Sequence, residues 1–382
     1  MSTTPDIAVV GAGPVGLAAA ALLADLGYAV TLVAPPAPPD ERTSALMAPS
    51  IALLERLGVW SGLAATTAPL RTLRIVDATG RLIRAPEVAF DASEIGRPAF
   101  GYNVANAALV AALERAVAAR PIARIAALAE SATIADTVVT ITLSTGDTVV
   151  APLVIAADGR RSRLREAAGI ASDAWSYPQA ALVTNLRHSA PHDDTSTEFH
   201  TPHGPFTLVP LPGHRSSLVW VDRPEESERR LAVSDAALAA EIERQSASIL
   251  GAIAIDGRRQ VFPLSGMSVR RFAASRIMLA GEAAHVLPPI GAQGLNLGYR
   301  DVAALADVLA ARPSDPGAAD RLAAYDRARR VDVVTRTAAV DALNRTLLAG
   351  LLPVDAVRAA GLTAIDRIPA LRRFAMRQGV GA

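Results

Sequence analysis

A short apolar run, Ile7–Val10, leads into Gly11-Ala-Gly13-Pro-Val-Gly16, and a helical stretch follows to Leu26 before Gly27. A second apolar run, Ala29–Val33, completes a β-α-β unit with GxGxxG at its first turn. In that setting each glycine has a physical task. Gly11 permits the tight turn, Gly13 lets the backbone approach a pyrophosphate, and Gly16 lets helix and strand pack closely. Gly27 is placed to cap the helix. The unit predicts an α/β fold that binds a dinucleotide. One part is absent: the second strand ought to end in an acid for the adenosine ribose. Here it ends at Ala34, and a stiff Pro-Pro-Ala-Pro-Pro linker runs on to Asp40 and Glu41.

At 382 residues the chain is too long for one compact core, so two domains are expected. Net charge is only +1, and there is no basic block with interleaved aromatics, which argues against a nucleic-acid partner. There is no lysine, so apart from histidine every cation is arginine. The absence of cysteine excludes disulfides, thiolate metal sites and a cysteine nucleophile, and fits a reducing cytosol. The six histidines lack ligand spacing with carboxylates, so no metal site is expected. No GxSxG supports a hydrolase triad. The polar start MSTTPD runs straight into a strand, so no signal peptide is expected. No uncharged apolar stretch reaches the ~18 residues of a membrane span. The expected location is cytoplasmic, with peripheral contact on the inner face of the membrane as the alternative.

Further along, Ser50–Leu57 reads as a short helix and Asn106–Ala119 as an amphipathic one. Leu73–Val76 and Arg81–Ile83 flank Asp77-Ala-Thr-Gly80 as a hairpin, and Val138–Leu143 and Thr148–Val150 form another. A buried strand from Leu153 ends in Asp158-Gly159. From Tyr177 to Pro263 the pattern becomes alternating strands with Pro and Gly turns, such as Phe206–Leu211 and Ser217–Val221. The run Arg276–Ala280 reads as one more buried strand. It opens through a Gly/Pro-rich loop into an Ala/Leu-rich helix beyond Gly294, an arrangement that cradles phosphates or cofactors.

Three motifs thus follow one another: Gly11–Gly16, then Ala157-Asp158-Gly159-Arg-Arg-Ser162-Arg163-Leu164-Arg165, then GEAAHVLPPIGAQGLNLGYRD from Gly281 to Asp301. In this order and spacing the chain resembles the class A flavoprotein monooxygenases, the p-hydroxybenzoate hydroxylase-like aromatic hydroxylases, over nearly its whole length. The resemblance implies an α/β fold: a Rossmann-like FAD-binding domain, an inserted β-sheet substrate domain and a C-terminal helical segment. It implies FAD as cofactor, NAD(P)H or another reductant as electron donor, and O2 as cosubstrate. Gly11, Gly13 and Gly16 would lie on the pyrophosphate. Asp158 and Gly159 match the mid-chain motif associated with FAD and NAD(P)H use. Gly281, Glu282, Gly294, Leu295 and Asn296 would hold the ribityl chain and flavin ring, with Glu282 where the family loop has Asp. Pro289 matches the proline beside the substrate's reacting position, and with Gly291 and Gln293 it would form the catalytic wall. Backbone amides opening the next helix would favour negative charge on the flavin.

Shorter patterns narrow the branch. Asp40-Glu-Arg42-Thr-Ser-Ala45-Leu46, Trp175-Ser-Tyr177-Pro-Gln179, Glu198-Phe199, Leu208-Val-Pro210-Leu211 and Asp341-Ala-Leu-Asn344-Arg345 resemble the ubiquinone-biosynthesis hydroxylases. In that branch Asn106 stands where many class A members carry an arginine facing FAD; Arg42 and Asn106 would both contact the cofactor. The branch implies a polyprenylated phenol as substrate, hydroxylated through a flavin C4a-hydroperoxide, and a ubiquinone-biosynthesis complex as partner. Three alternatives stand beside it. They are a class A hydroxylase of a soluble aromatic, a flavoenzyme that reduces prenyl double bonds, and a non-catalytic FAD-binding scaffold of a biosynthetic complex.

The implied division places residues 1–72, 98–175 and 265–345 in the FAD-binding domain, 73–97 and 176–264 in the β-rich substrate domain, and 346–382 in the helical segment. That last segment mixes apolar residues with Arg358, Arg367, Arg372, Arg373 and Arg377. It reads either as an amphipathic helix on an anionic membrane or as a helix capping the FAD domain. His285 reads as a structural hydrogen-bonding residue. His188 or His192 could accept a phenol proton, although such pairs are more often structural. His200 and His203 flank a turn and read as solvated. Glu198 and Phe199 suit a substrate pocket or an ordinary strand equally.

Overall fold

The apolar runs that the sequence marks out lie side by side in a computed structural model. It describes residues 5–36, 40–81, 85–289, 292–348, 360–361, 363–365 and 367–380. Ile277–Leu279, Leu153–Ala156, Ile7–Val10, Val30–Val33 and Ala123–Ile125 form, in that order, a parallel sheet, with Ala273–Ala274 antiparallel at one edge. Its central strands are buried on both faces, as parallel sheets require. The helices Pro14–Asp25, Asn106–Ala118 and Gln293–Leu309 belong to the core that encloses it. The predicted hairpin of Val139–Leu143 with Thr148–Ala151 is present and gains a third strand, Ala129–Ile134.

A second, mixed sheet is built around Ser172–His188, a 17-residue strand. Its first half pairs with Gly266–Val269 and its second half with Arg215–Asp222 and Gln260–Pro263. The register breaks between Ser176 and Ala180, where Pro178 has no N–H to donate. This strand therefore carries the chain from the parallel-sheet core to the second core, in which Phe199, Phe206 and Trp220 stack edge to face. A small sheet of Thr43–Met47, Gly101–Ala105 and Ala68–Leu70 lies between.

Three readings of the sequence need correction. The partner of Thr72–Asp77 is Val88–Asp91, not Arg81–Ile83. Residues 82–84 lie outside the described residues, and Asp77 instead spends its carboxylate on Thr79 and the Ala85 N–H. The stretch 177–263 is not strand throughout: Pro224–Ala232 and Asp235–Gln245 are helices. Their signals were local ones, a proline with Glu225 and Glu226 in a first turn, and Ser234 capping the Ala237 N–H at 3.2 Å. Leu238 and Ile242 then bury against the second sheet. Finally, His200 is buried, not solvated, and pairs with Glu198 at 2.9 Å; His203 is exposed as expected.

Candidate active site and cofactor cradle

The glycine loop sits at the carboxyl end of Ile7–Val10. Gly11 has φ +112°, and a Cβ there would lie 2.1 Å from the Ala157 carbonyl oxygen. A Cβ on Gly16 would lie 1.9 Å from the Gly11 oxygen. Both positions are closed by the fold itself. Gly13 differs: it is exposed, has an ordinary extended conformation, and an added Cβ meets nothing within 4 Å. It precedes Pro14 at the start of a helix that no side chain caps. Backbone amides at such an end favour an anion.

The second motif follows the neighbouring strand. Asp158 is largely buried; its Oδ2 accepts weakly from the Leu164 N–H at 3.4 Å, while its Oδ1 has no partner among the described residues. Burial raises its carboxyl above the ordinary value, against hydrogen bonds from Ser162 and nearby backbone. Gly159 turns the chain at φ +83°. A buried, unpartnered oxygen one residue after Ala157, whose carbonyl closes on Gly11, is a group awaiting a donor.

The third motif closes the cradle from the other side. Gly281 has φ +63°, and its N–H donates to Asp301 Oδ2 at 2.8 Å. That same oxygen bonds His285 Nε2 at 2.7 Å, and Asp301 Oδ1 accepts from Arg329 Nε at 2.7 Å. Arg329 Nη1 reaches Asp332, which also receives Arg300 and Arg336. Burial alone would raise Asp301; the charges of His285 and Arg329 and the hydrogen bonds override it and hold the carboxyl below its ordinary value. His285 thus has the structural role expected of it. A Cβ on Gly298 would lie 2.6 Å from Val15 Cγ2, and one on Gly281 3.2 Å from the same atom. Val15 is therefore where the glycine loop, the Gly281 loop and the Gln293–Leu309 helix meet.

That helix starts from Ala292 in a left-handed conformation, φ 52° and ψ 34°, without a side-chain cap. Gly294 in its first turn is exposed, and a Cβ there meets nothing within 4 Å. Asn296 is fully engaged: Oδ1 accepts from Met47 N and Ser50 Oγ, and Nδ2 donates to the Ala45 and Ala292 carbonyls. It locks the helix start to the strand Thr43–Met47, which leaves only its backbone to face a ligand. Leu295 packs against the core, Gln293 is half-buried, Glu282 and Pro289 are exposed, and Gly291 lies outside the described residues.

Arg42 and Asn106 come together through Asp40. Arg42 donates from Nε and Nη2 to both Asp40 oxygens, each at 2.8 Å, and its guanidinium stands 5.2 Å from the Phe262 ring centre. Asn106 donates to Asp40 at 2.8 Å and accepts from Ser44 at 2.7 Å. Hydrogen bonding to Asp40 raises Arg42, with burial opposing and the Glu282 charge adding to the rise. These residues thus form one wall rather than isolated surface groups.

The other polar candidates are spoken for. His188 bonds the Ala190 carbonyl and Ser216, and burial lowers its pKa; His192 bonds the Leu211 carbonyl and the Asp194 N–H. Phe199 belongs to the second core. Trp175 donates to Tyr177, and Tyr177 to Asp341, both at 2.7 Å, so the aromatic motif fastens the long strand to the helix Ala319–Leu348. Sequence reasoning missed Arg329, Gly298, Ser50 and the central place of Asp301. Asp301 was visible as the end of a motif. Arg329 had no local signal, because a buried cation is found only through its partner.

The comparisons with known proteins agree with this geometry. Residues 4–340 match the FAD binding domain family. A ubiquinone hydroxylase of Rhodospirillum rubrum is 35% identical over 98% of this chain and 89% of its own length. A 3-demethoxyubiquinol 3-hydroxylase of Escherichia coli is 35% identical over 98% of both chains. Among solved structures, a p-nitrophenol 4-monooxygenase of Pseudomonas putida superposes with a TM-score of 0.81 over 100% of this chain and 99% of its own, at 21% identity. That last likeness concerns the fold.

Proposed function

The chain belongs to the FAD binding domain family, and from that premise we propose that it hydroxylates the aromatic ring of a polyprenylated phenol in ubiquinone biosynthesis. The observation that carries the reading is its end-to-end likeness to two hydroxylases named for that pathway. The residues present suit FAD: two glycines, Gly13 and Gly294, open onto space at uncapped helix starts, and Asp158, next to Gly11, keeps an unpartnered oxygen. When bound, the flavin supplies activation of O2, with NAD(P)H or another reductant giving two electrons. One oxygen atom goes to the ring carbon and the other to water.

The chain's own part is binding, orientation and exclusion of water. Gly11, Gly13 and Gly16 shape the pyrophosphate site, with Asp158 and Gly159 beside it. Gly281, Glu282 and the amides of Gly294, Leu295 and Asn296 face the ribityl chain and ring. Arg42 and Asn106, braced on Asp40, hold the opposite side. Pro289 and Gln293 form the substrate-facing wall. In this division residues 1–72, 98–175 and 265–345 bind the cofactor, and the large mixed sheet covers the substrate.

The test is turnover of a short-chain prenylated phenol by the FAD-loaded protein under ¹⁸O₂ with a reductant. The expected product carries one ¹⁸O atom on the ring. Peroxide release with no product would contradict the proposal, and turnover of a water-soluble phenol in its place would favour the soluble-aromatic alternative. FAD binding with no substrate-dependent reduction would favour the scaffold.

No helix among the described residues is long and apolar enough to cross a membrane. We place the membrane contact on Pro369–Val380. Its Met376 packs inward beside Phe100 and Ala92, and Arg372 pairs with Glu94. The outer face presents Phe374, 60% exposed, with Leu371, Arg373 and Arg377, and Ile368 is exposed just before the helix. Arg358 lies outside the described residues. Anionic vesicles should float the wild-type protein and leave Phe374→Glu behind; equal flotation of both contradicts the contact.

A further inference from the structure

The second strand of the dinucleotide unit ends without an acid, yet a carboxylate, that of Glu114, lines the same cleft as Ala34. Beyond Val30–Val33 and Ala123–Ile125 lies a cleft of about 490 Å³ lined by Ala34, Pro36, Val110, Glu114, Arg124 and Ala126. It opens at the carboxyl ends of two adjacent parallel strands, which the Ala34 N–H ties together by donating to the Ile125 carbonyl at 3.0 Å. The Val33 carbonyl just before it accepts the Gly11 N–H at 2.9 Å, so the cleft is one strand away from the glycine loop. In a dinucleotide-binding β-α-β unit the acid that holds the adenosine ribose follows the second strand, and this cleft opens at that strand's carboxyl end.

Four of the six lining residues are apolar and suit a purine face. Val110 and Glu114 stand four residues apart on the helix Asn106–Ala118, so both look into the cleft. Arg124 engages Glu114 as a fork: its Nη2 donates to Oε1 at 3.1 Å and its Nη1 to Oε2. The Glu114 side chain is 29% exposed. A carboxylate has about four acceptor sites, so two remain after the arginine is satisfied. The acids in the sequence nearest to Ala34 do not serve here: Asp40 is held by Arg42 and Asn106, and Glu41 is exposed and does not line the cleft.

We propose that Glu114, oriented by Arg124, is the hydrogen-bond acceptor for the adenosine of FAD, in place of the acid missing at Ala34. The inference rests on FAD as the cofactor. Glu114 accepts from the ribose hydroxyls, and Arg124 fixes its rotamer. Arg124 is a positioning residue, and its loss weakens binding less than loss of Glu114.

Titration of apoprotein with FAD, followed by flavin fluorescence, reads this directly. Glu114→Gln should weaken FAD binding about tenfold while the apoprotein keeps its unfolding midpoint, since an exposed ion pair adds little stability. Ala34→Glu introduced into Glu114→Gln should restore most of the affinity. Unchanged FAD affinity in Glu114→Gln would overturn the proposal. So would a matching fall in the midpoint of the apoprotein with no rescue by Ala34→Glu, which marks a structural role. A wild-type protein that bound no FAD would remove the cofactor premise itself, a result distinct from either.

Discussion

Replacing Asp301 by Asn should lower the free energy of unfolding by about 3 kcal/mol or more and loosen the cofactor loop. The size follows from what remains behind. Asp301 is fully buried and holds the Gly281 N–H, His285 and Arg329 at once. Asn keeps the shape but not the charge, so Arg329 stays buried with only Asp332 to oppose it. Removing one partner of a buried pair costs about 3–5 kcal/mol because the other charge is left uncompensated. Loss of the Gly281 contact also frees the turn on which Glu282 sits, so FAD affinity should fall with stability. The pH dependence has a definite sign. The folded Asp301 carboxyl lies below its ordinary value, so its contribution is complete above the unfolded pKa of about 3.9. It is lost as pH falls further, through the folded value. Urea unfolding at neutral pH should show the full gap between wild type and Asp301→Asn, and the gap should shrink below pH 4. Equal stabilities at neutral pH would show that the network does not hold the loop.

The parallel sheet was legible from sequence because strands buried on both faces are continuous apolar runs, and Ile7–Val10, Leu153–Ala156 and Ile277–Leu279 are of that kind. The glycine loop was legible because its constraints are local: Gly11 and Gly16 are demanded by backbone atoms a few residues or one strand away. The large sheet was read only in part. The helix Pro224–Ala232 is strongly charged and lies among strands, and Pro224 with Glu225 and Glu226 in its first turn was the better clue. Within the site, Asn296 was found by its motif, but its saturation by Ala45, Met47, Ser50 and Ala292 was not. Three of these four contacts span some 250 residues and have no periodic trace. Arg329 and the Glu114–Arg124 fork were hidden for a related reason: each is defined by a partner on another element or turn rather than by a periodic pattern.

Gly13→Leu should yield a folded protein that no longer retains FAD, with affinity reduced at least a hundredfold, or about 2.7 kcal/mol. The argument rests on a contrast among three glycines. At Gly11 and Gly16 an added side chain collides with backbone oxygens at 2.1 and 1.9 Å, so substitutions there damage the fold. At Gly13 the backbone is extended and a Cβ meets no protein atom within 4 Å. The leucine therefore occupies only the space into which the pyrophosphate must come. Thermal unfolding of the apoproteins should give nearly equal midpoints for wild type and variant. The most direct measurement is the visible spectrum of both proteins, purified side by side and then denatured. Wild type should show oxidised flavin that is released as FAD, and Gly13→Leu should be colourless though folded. A wild-type protein that is colourless and cannot be reconstituted with FAD, or a variant as yellow as wild type, would contradict the placement of FAD in this cradle.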